Sequence, residues 1–279
     1  MPDERIIGPS PSTTEECITF PGVHESRNKF KTYSYNGIMV PRVSEILKEC
    51  FGKEHLVRWA ASIGLEEYEN IKKDATTIGT FAHEEIEKIV DGKEPSIDHI
   101  FNPRYRSAVV NCLINFEQFM FNMDKLGVLI TPLFIEQEIT TPWYGGTIDS
   151  IATLEFQNNY IPTKNVIIDY KTSKSISSEY IMQAFAYLWG VNWLRSRGVS
   201  ILPEVKGILI IRVDKNKENC YDYLYLDFEL DPVTYCSLEH DLANMVNWFY
   251  SQINVNYILK TSKKSNIIEE AYNEHFGII

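Results

Sequence analysis

Asp169 and Lys171 bracket a tyrosine directly after the apolar run Val166, Ile167, Ile168. In a β-strand, residues two apart share a face, so this carboxylate and ammonium point the same way while Tyr170 points opposite. Side by side at a strand end they suit one task. The carboxylate holds a hard divalent cation, and the lysine orients or activates a water and offsets charge developing on a phosphate. Asp149 lies near the middle of the preceding predicted strand, and pairing of the two strands would let Asp149 and Asp169 converge on one metal. The plainer alternative is an exposed strand end after a buried run, because D-x-K is short enough to occur by chance.

Two other spacings bear on the choice. His83 and Glu87 stand one turn apart in GTFAHEEIE (79–87), where an imidazole and a carboxylate can reach a single metal. A partly buried histidine bonded to Glu87 would fit the same spacing. Gln183 and Tyr187, at i and i+4, share a face of the helix after the Asp-Tyr-Lys strand, near its end closest to the Asp–Lys pair. Tyr187 also fits a core position beside Ala184, Phe185 and Leu188.

The elements that must position these groups follow from periodicity. From Pro41 the pattern is helical: Val43, Ile46, Leu47 and Phe51 form one stripe, and Leu56, Trp59, Ala60 and Ile63 form a second that stops at Gly64. A third helix is expected from about Thr77 to Val90, and a fourth from Asn102-Pro103 to Leu126, where Gly127 stops it. The period then changes. Leu133–Thr140 alternates, with Ile135 and Ile139 on one face and Glu136 and Glu138 on the other. A turn at Trp143-Tyr144-Gly145-Gly146 leads into strands at Thr147–Leu154 and Val166–Lys171. A helix capped by Ser177 or Ser178 reaches Arg197, strands follow at Val205–Val213 and Tyr221–Leu230, and a last helix covers 231–252. The expected class is α/β, or more specifically α+β: a helical front part (38–127) feeding a sheet core (128–279), behind a polar N-terminal arm (1–37).

Composition bounds the rest. The 279 residues carry 27 Lys and Arg against 38 Asp and Glu, a net charge of −11, with 44% hydrophobic and 13% aromatic residues. That is enough apolar material for one elaborated domain or two small ones, and it excludes a disordered chain. The acidic balance weighs against a non-specific DNA binder with a basic face, but less so for an enzyme whose site is itself built of carboxylates. The sequence begins MPDERIIGPSPSTTEE, without the order of a secretory or transit signal, and no stretch approaches the ~18 apolar residues of a membrane span. Cys17, Cys50, Cys112, Cys220 and Cys236 are scattered with no CxxC pair, which points to a reducing compartment and a cytoplasmic location.

Taken together, GTxxHxxxE (79–87), GxxD (146–149), DxK (169–171, within IIDYKTSK) and QxxxY (183–187) resemble the PD-(D/E)xK nuclease superfamily, and most closely its RecB-like exonuclease branch. The opening PRVSEILKECFGKEHLVRWAASIG is similar to the phage and mitochondrial genome maintenance exonucleases. The resemblance covers roughly residues 38–190, and four motifs in order make it specific. It implies a restriction-endonuclease-like core: a mixed central sheet flanked by helices. It implies that His83, Asp149 and Asp169 ligate Mg²⁺ or Mn²⁺, with the carbonyl of Tyr170 completing the shell. Lys171 would be the catalytic lysine, Gln183 and Tyr187 would position the DNA backbone or that lysine, and Glu87 would support His83. The lone Cys220 and Cys236 depart from the members that hold an iron–sulfur cluster, so none is expected.

The activity implied is metal-dependent hydrolysis of DNA phosphodiester bonds by an exonuclease on single-stranded ends, in replication, recombination or repair, alongside proteins of those processes. An endonuclease of the same superfamily and a non-catalytic DNA-binding module are the alternatives. For DNA contacts the candidates are Lys72, Lys73 and Lys174. Lys48, Lys53 and Arg58 on the front helices and Lys260, Lys263 and Lys264 near the C-terminus are weaker, since such charges commonly form a solvated helix face. Trp59 or Phe51 could stack a base, although both fit the apolar stripe, which is preferred.

Overall fold

The change from helical to alternating periodicity at Gly127 marks where a sheet begins. In the computed structural model, which describes residues 33–52, 54–157 and 161–261, a short hairpin, β1 (Tyr33–Tyr35) and β2 (Ile38–Val40), leads into α1 (Val43–Cys50), α2 (Glu54–Ile63), α3 (Leu65–Val90) and α4 (Pro103–Lys125). Then come β3 (Val128–Thr140), β4 (Gly145–Phe156), β5 (Lys164–Lys171), α5 (Ser178–Ser196), β6 (Gly207–Val213), β7 (Tyr221–Asp227) and α6 (Pro232–Thr261). The fold is α+β, with helices on a five-stranded mixed sheet of order β3-β4-β5-β6-β7. Every neighbouring pair in it is antiparallel except β5–β6, which run parallel around the α5 crossover.

Each face of the sheet builds its own core. On one face α3 and α4 cover Ala152, Leu154, Val166, Ile168, Tyr170, Leu209 and Ile211. On the other, α1, α5 and α6 cover Ile148, Ile151, Ile167, Ile208 and Ile210. Because β5 and β6 are covered on both sides, they read as continuous apolar runs rather than alternating ones. Each fully buried Ile or Val contributes roughly 1.5–3 kcal/mol. The crossover helix α5 is buried on nearly all sides, from Met182 to Leu194, so it shows almost no amphipathic stripe.

Several boundaries differ from the sequence expectation for local reasons. The third helix starts at Leu65 rather than near Thr77; its first half is largely exposed, so a burial stripe could not reveal it, and the good helix formers in EEYENIKK carry it. The break from α2 falls at Gly64, whose φ of 90° suits glycine. β3 begins at Val128, not Leu133. It tolerates Pro132 because it lies at the sheet edge, with a register shift between Pro132 and Phe134. The reversal before β4 spans Thr141–Tyr144, with Thr141 N–H donating to the Tyr144 carbonyl at 2.8 Å, so Gly145 and Gly146 already belong to the strand. The last helix runs on to Thr261. The polar arm does not extend to residue 37: Tyr33 is buried against Gly145 and its hydroxyl lies 3.0 Å from Thr147 Oγ1. Residues 1–32 lie outside the described residues. Among the described residues no helix is long and apolar enough to cross a membrane.

Candidate active site at the ends of strands β4 and β5

One ladder stops and another is interrupted where the acidic residues lie. The β4–β5 pairing ends at Ser150↔Ile168, so Asp149 and Asp169, next in line on each strand, fall beyond it. On the other side of β4 the register passes from Ile135↔Ser150 to Gln137↔Ile148, leaving Glu136 and Asp149 out. Asp149 Oδ2 accepts the backbone N–H of Tyr170 at 2.8 Å. The side chain thus replaces a ladder carbonyl and is fixed against the end of β5. Asp169 is 2% exposed. Lys171 Nζ lies 2.8 Å from each of its oxygens and donates to Oδ1, while Oδ2 has no hydrogen-bond partner.

Helix α3 crosses this strand end. A Cβ on Gly79 would meet Thr172 Oγ1 at 3.4 Å, ordinary contact, and one turn later His83 Nδ1 stands 3.6 Å from Asp149 Oδ2. The ring of Tyr170 points to the opposite face from Lys171, as the alternation requires, and meets Phe116 and His83 edge-on with centroids 5.6 and 6.2 Å away. Glu87, a further turn along α3, lies close enough to Glu136 for that acid to raise its pKa. Glu136 has a φ of 50°, a left-handed backbone that removes it from the regular alternation of β3.

From the other face α5 contributes Gln183 and Tyr187. Gln183 Nε2 donates to the Tyr187 hydroxyl at 3.1 Å, and Tyr187 feels the charges of Asp169 and Asp149. Tyr180, in the first turn of α5, holds its ring centroid 5.0 Å from Lys171 Nζ.

The electrostatics are those of acids crowded away from water. Burial raises Asp149 and Asp169 to about 6 each, against the pull of Lys171. Burial and then Glu136 push Glu87 up to about 8. His83 is lowered, first by burial and then by the Lys171 ammonium, with Asp169 and Glu136 opposing. For Lys171, burial is outweighed by Asp169 and Asp149, and its pKa rises. It is therefore a fixed cation and hydrogen-bond donor at neutral pH, not a general base.

The sequence-predicted residues His83, Glu87, Asp149, Asp169, Tyr170, Lys171, Gln183 and Tyr187 thus meet at one end of the sheet. Lys72 and Lys73 do not: they lie roughly 15 Å back along α3 from His83, and Lys72 faces Glu69 at 3.6 Å. Lys174 is exposed in the loop after β5. Trp59 is 38% exposed and packs edge-on against Tyr68 at 5.5 Å instead of filling a core. Lys53, Lys263 and Lys264 lie outside the described residues, as does the Lys260 side chain. Sequence reasoning missed Tyr180 and Arg212. Arg212 pairs in register with Lys171, lies buried, and donates to the Ser173 carbonyl at 3.3 Å, tying down the loop after Lys171. Its only signal was a charge at the end of an apolar run.

Among the described residues no three His, Cys, Asp or Glu side chains are already drawn together as a cage that could hold a metal. The donor chemistry nonetheless fits a hard divalent ion: carboxylate oxygens, one imidazole, and a buried Asp169 oxygen with no hydrogen-bond partner. Compared with known proteins, the chain matches no protein family, and no curated protein is detectably similar to it in sequence.

Proposed function

We propose that this protein is a metal-dependent deoxyribonuclease of the PD-(D/E)xK type, with a restriction-endonuclease-like core, acting as an exonuclease on single-stranded DNA ends in the cytoplasm. The observation that carries the reading is the meeting of Asp149 from β4, Asp169 and Lys171 from β5, and His83 from α3 at one strand end. The order of the four motifs supports the RecB-like branch, and with it replication, recombination or repair as the setting.

Asp149, Asp169 and His83, with the Tyr170 carbonyl, would hold Mg²⁺ or Mn²⁺. Such an ion polarises a phosphoryl oxygen and lowers the pKa of a bound water. Lys171 supplies a positive charge that Asp169 keeps aimed into the site, where it orients the attacking hydroxide and stabilises charge on the phosphate in the transition state. Gln183 and Tyr187, bonded to each other, offer an amide and a phenol to the DNA backbone beside it. Glu87 and Glu136 lie close together at the rim and add to the acidic wall of the site.

The test is a Mg²⁺ and Mn²⁺ titration on linear single strands labelled at the 5′ or the 3′ end, beside a closed circular single strand and a duplex, with Lys171→Ala as control. Cleavage of the linear strand alone, lost in EDTA and in Lys171→Ala, is the expected result, and the two labels give its polarity. Cutting of the circle would make the enzyme an endonuclease. Binding without cleavage would make it a non-catalytic module, and cleavage by Lys171→Ala at the parent rate would displace the site.

A further inference from the structure

In this acidic chain three separate segments carry basic residues just past Lys171. Lys174 lies in the loop between β5 and α5, Lys215 lies in the turn between β6 and β7, and Arg104 lies in the first turn of α4. Their closeness is built by buried groups. Arg212, 3% exposed, donates through Nη1 to the Ser173 carbonyl at 3.3 Å and to Asp214 Oδ2 at 3.2 Å, and through Nε to Asp222 Oδ2 at 2.7 Å. One guanidinium therefore ties the loop carrying Lys174 to the turn carrying Lys215. From α4, Asn115 is fully buried and donates to the carbonyls of Asp214 and Lys217 at 2.7 Å each, while accepting Cys220 N–H at 2.8 Å. Asn111 donates to the Lys215 carbonyl at 3.1 Å, which seats the turn on the helix that bears Arg104.

Burial lowers the pKa of the Lys215 ammonium; Cys112 and Asp214 favour the charged form, and the weaker like charges of Lys174 and Arg104 oppose it. Asp214 is engaged by Arg212, while Asp74 is shared between Arg104, at 3.0 Å, and the Tyr105 hydroxyl. A rigid scaffold that carries several basic residues on neighbouring loops favours a bound anion. Lys174 is three residues from Lys171, at most about 10 Å of extended backbone. We propose that Lys174, Lys215 and Arg104 form a phosphate-binding subsite that grips the backbone of a single DNA strand a few nucleotides from the bond cut at Lys171. The assignment of the ligand rests on the nuclease reading above.

The experiment is the salt dependence of binding, by fluorescence anisotropy of a labelled single-stranded oligonucleotide in EDTA. Each phosphate contact adds about 0.7 to the slope of log affinity against log salt for a single strand. The Lys174→Gln/Lys215→Gln protein should therefore show a slope shallower by about 1.4, and Lys174→Gln alone, at an exposed position, by about half that. Lys215→Arg should keep the parent slope, as should Lys125→Gln at the far end of α4. An unchanged slope in the double and single variants, or a parent that binds no strand, overturns the subsite. If the slope is unchanged while Lys171→Ala still abolishes cleavage, the nuclease reading stands and only the subsite fails. If the slope falls while Lys171→Ala cleaves normally, the subsite stands and the catalytic assignment fails.

Discussion

Gly146 lies against the ring of Tyr187: a Cβ built on it would stand 3.0 Å from the phenol oxygen and closer still to Cε1. The glycine of the GxxD segment is thus the seat of the tyrosine of QxxxY. Gly146→Ala should cost about 1–3 kcal/mol by forcing the ring aside, and should lower cleavage by displacing a group beside Asp149 and Asp169. In a Tyr187→Ala background the same change should cost much less, giving a coupling of about 1 kcal/mol or more in a double-mutant cycle measured by urea denaturation. Strictly additive costs would show that the glycine serves some other purpose.

That contact also marks the limit of what the sequence could reveal. Asp169 and Lys171 could be placed on one face from strand alternation alone, because the rule is local. The convergence of Asp149 with Asp169 needed only that neighbouring strands pair. The Gly146–Tyr187 fit joins a strand to the crossover helix, and no spacing within either segment encodes it. Glu136 was expected to share a face with Glu138 by alternation; its left-handed backbone breaks the period, and nothing in a glutamate side chain announces a positive φ. Trp59 fitted an apolar stripe yet lies partly exposed, since a stripe says which residues share a face and not whether anything covers it. Arg212 was hidden because a charged residue closing an apolar strand looks like the start of a loop.

Lys164, at the opposite end of β5 from Lys171, has its side chain only 1% exposed and pairs with Asp227 and, at 3.1 Å, with Glu229 Oε2. Burial would raise Asp227, but the Lys164 hydrogen bond and the Leu230 N–H overcome it and hold the carboxylate below its ordinary 3.8. Lys164 is raised above 10.5, its burial outweighed by Asp227 and Glu229. The carboxylate's contribution is present above pH ~4 and lost as pH falls through the lowered value; the lysine's is present below pH ~10 and lost as pH rises through the raised one. Lys164→Met should therefore destabilise the protein by roughly 3 kcal/mol at pH 7 by stranding Asp227. The gap between variant and parent should shrink below pH ~4. Urea midpoints across pH test this, and a gap constant down to pH 3 would refute the pairing.

Metal binding should register as stability without any substrate. A ligand at a hundred times its dissociation constant adds about 2.7 kcal/mol, so saturating Mg²⁺ or Mn²⁺ should raise the melting temperature of the parent over its value in EDTA. Asp169→Asn, which removes a buried carboxylate whose Oδ2 accepts no hydrogen bond, should abolish that rise, and His83→Ala should reduce it. A parent whose melting temperature ignores both ions would remove the metal site from the reading, whatever the outcome of cleavage assays.

Glu136 offers a separable test of strain and charge at the site rim. Its φ of 50° is costly for a glutamate, and asparagine adopts left-handed backbone more readily, a difference of about 1 kcal/mol. Glu136 is also, after burial, the largest influence pushing Glu87 from 4.5 up to about 8. An acid whose folded pKa is raised binds more protons in the folded state, so stability falls as pH rises from about 4.5 to 8. Glu136→Asn removes the neighbouring charge and leaves burial and weaker influences. The variant should be more stable than the parent at pH 8, and its stability should decline less between pH 5 and 8. Equal slopes for variant and parent in that window would show that Glu136 is not what raises the Glu87 carboxyl.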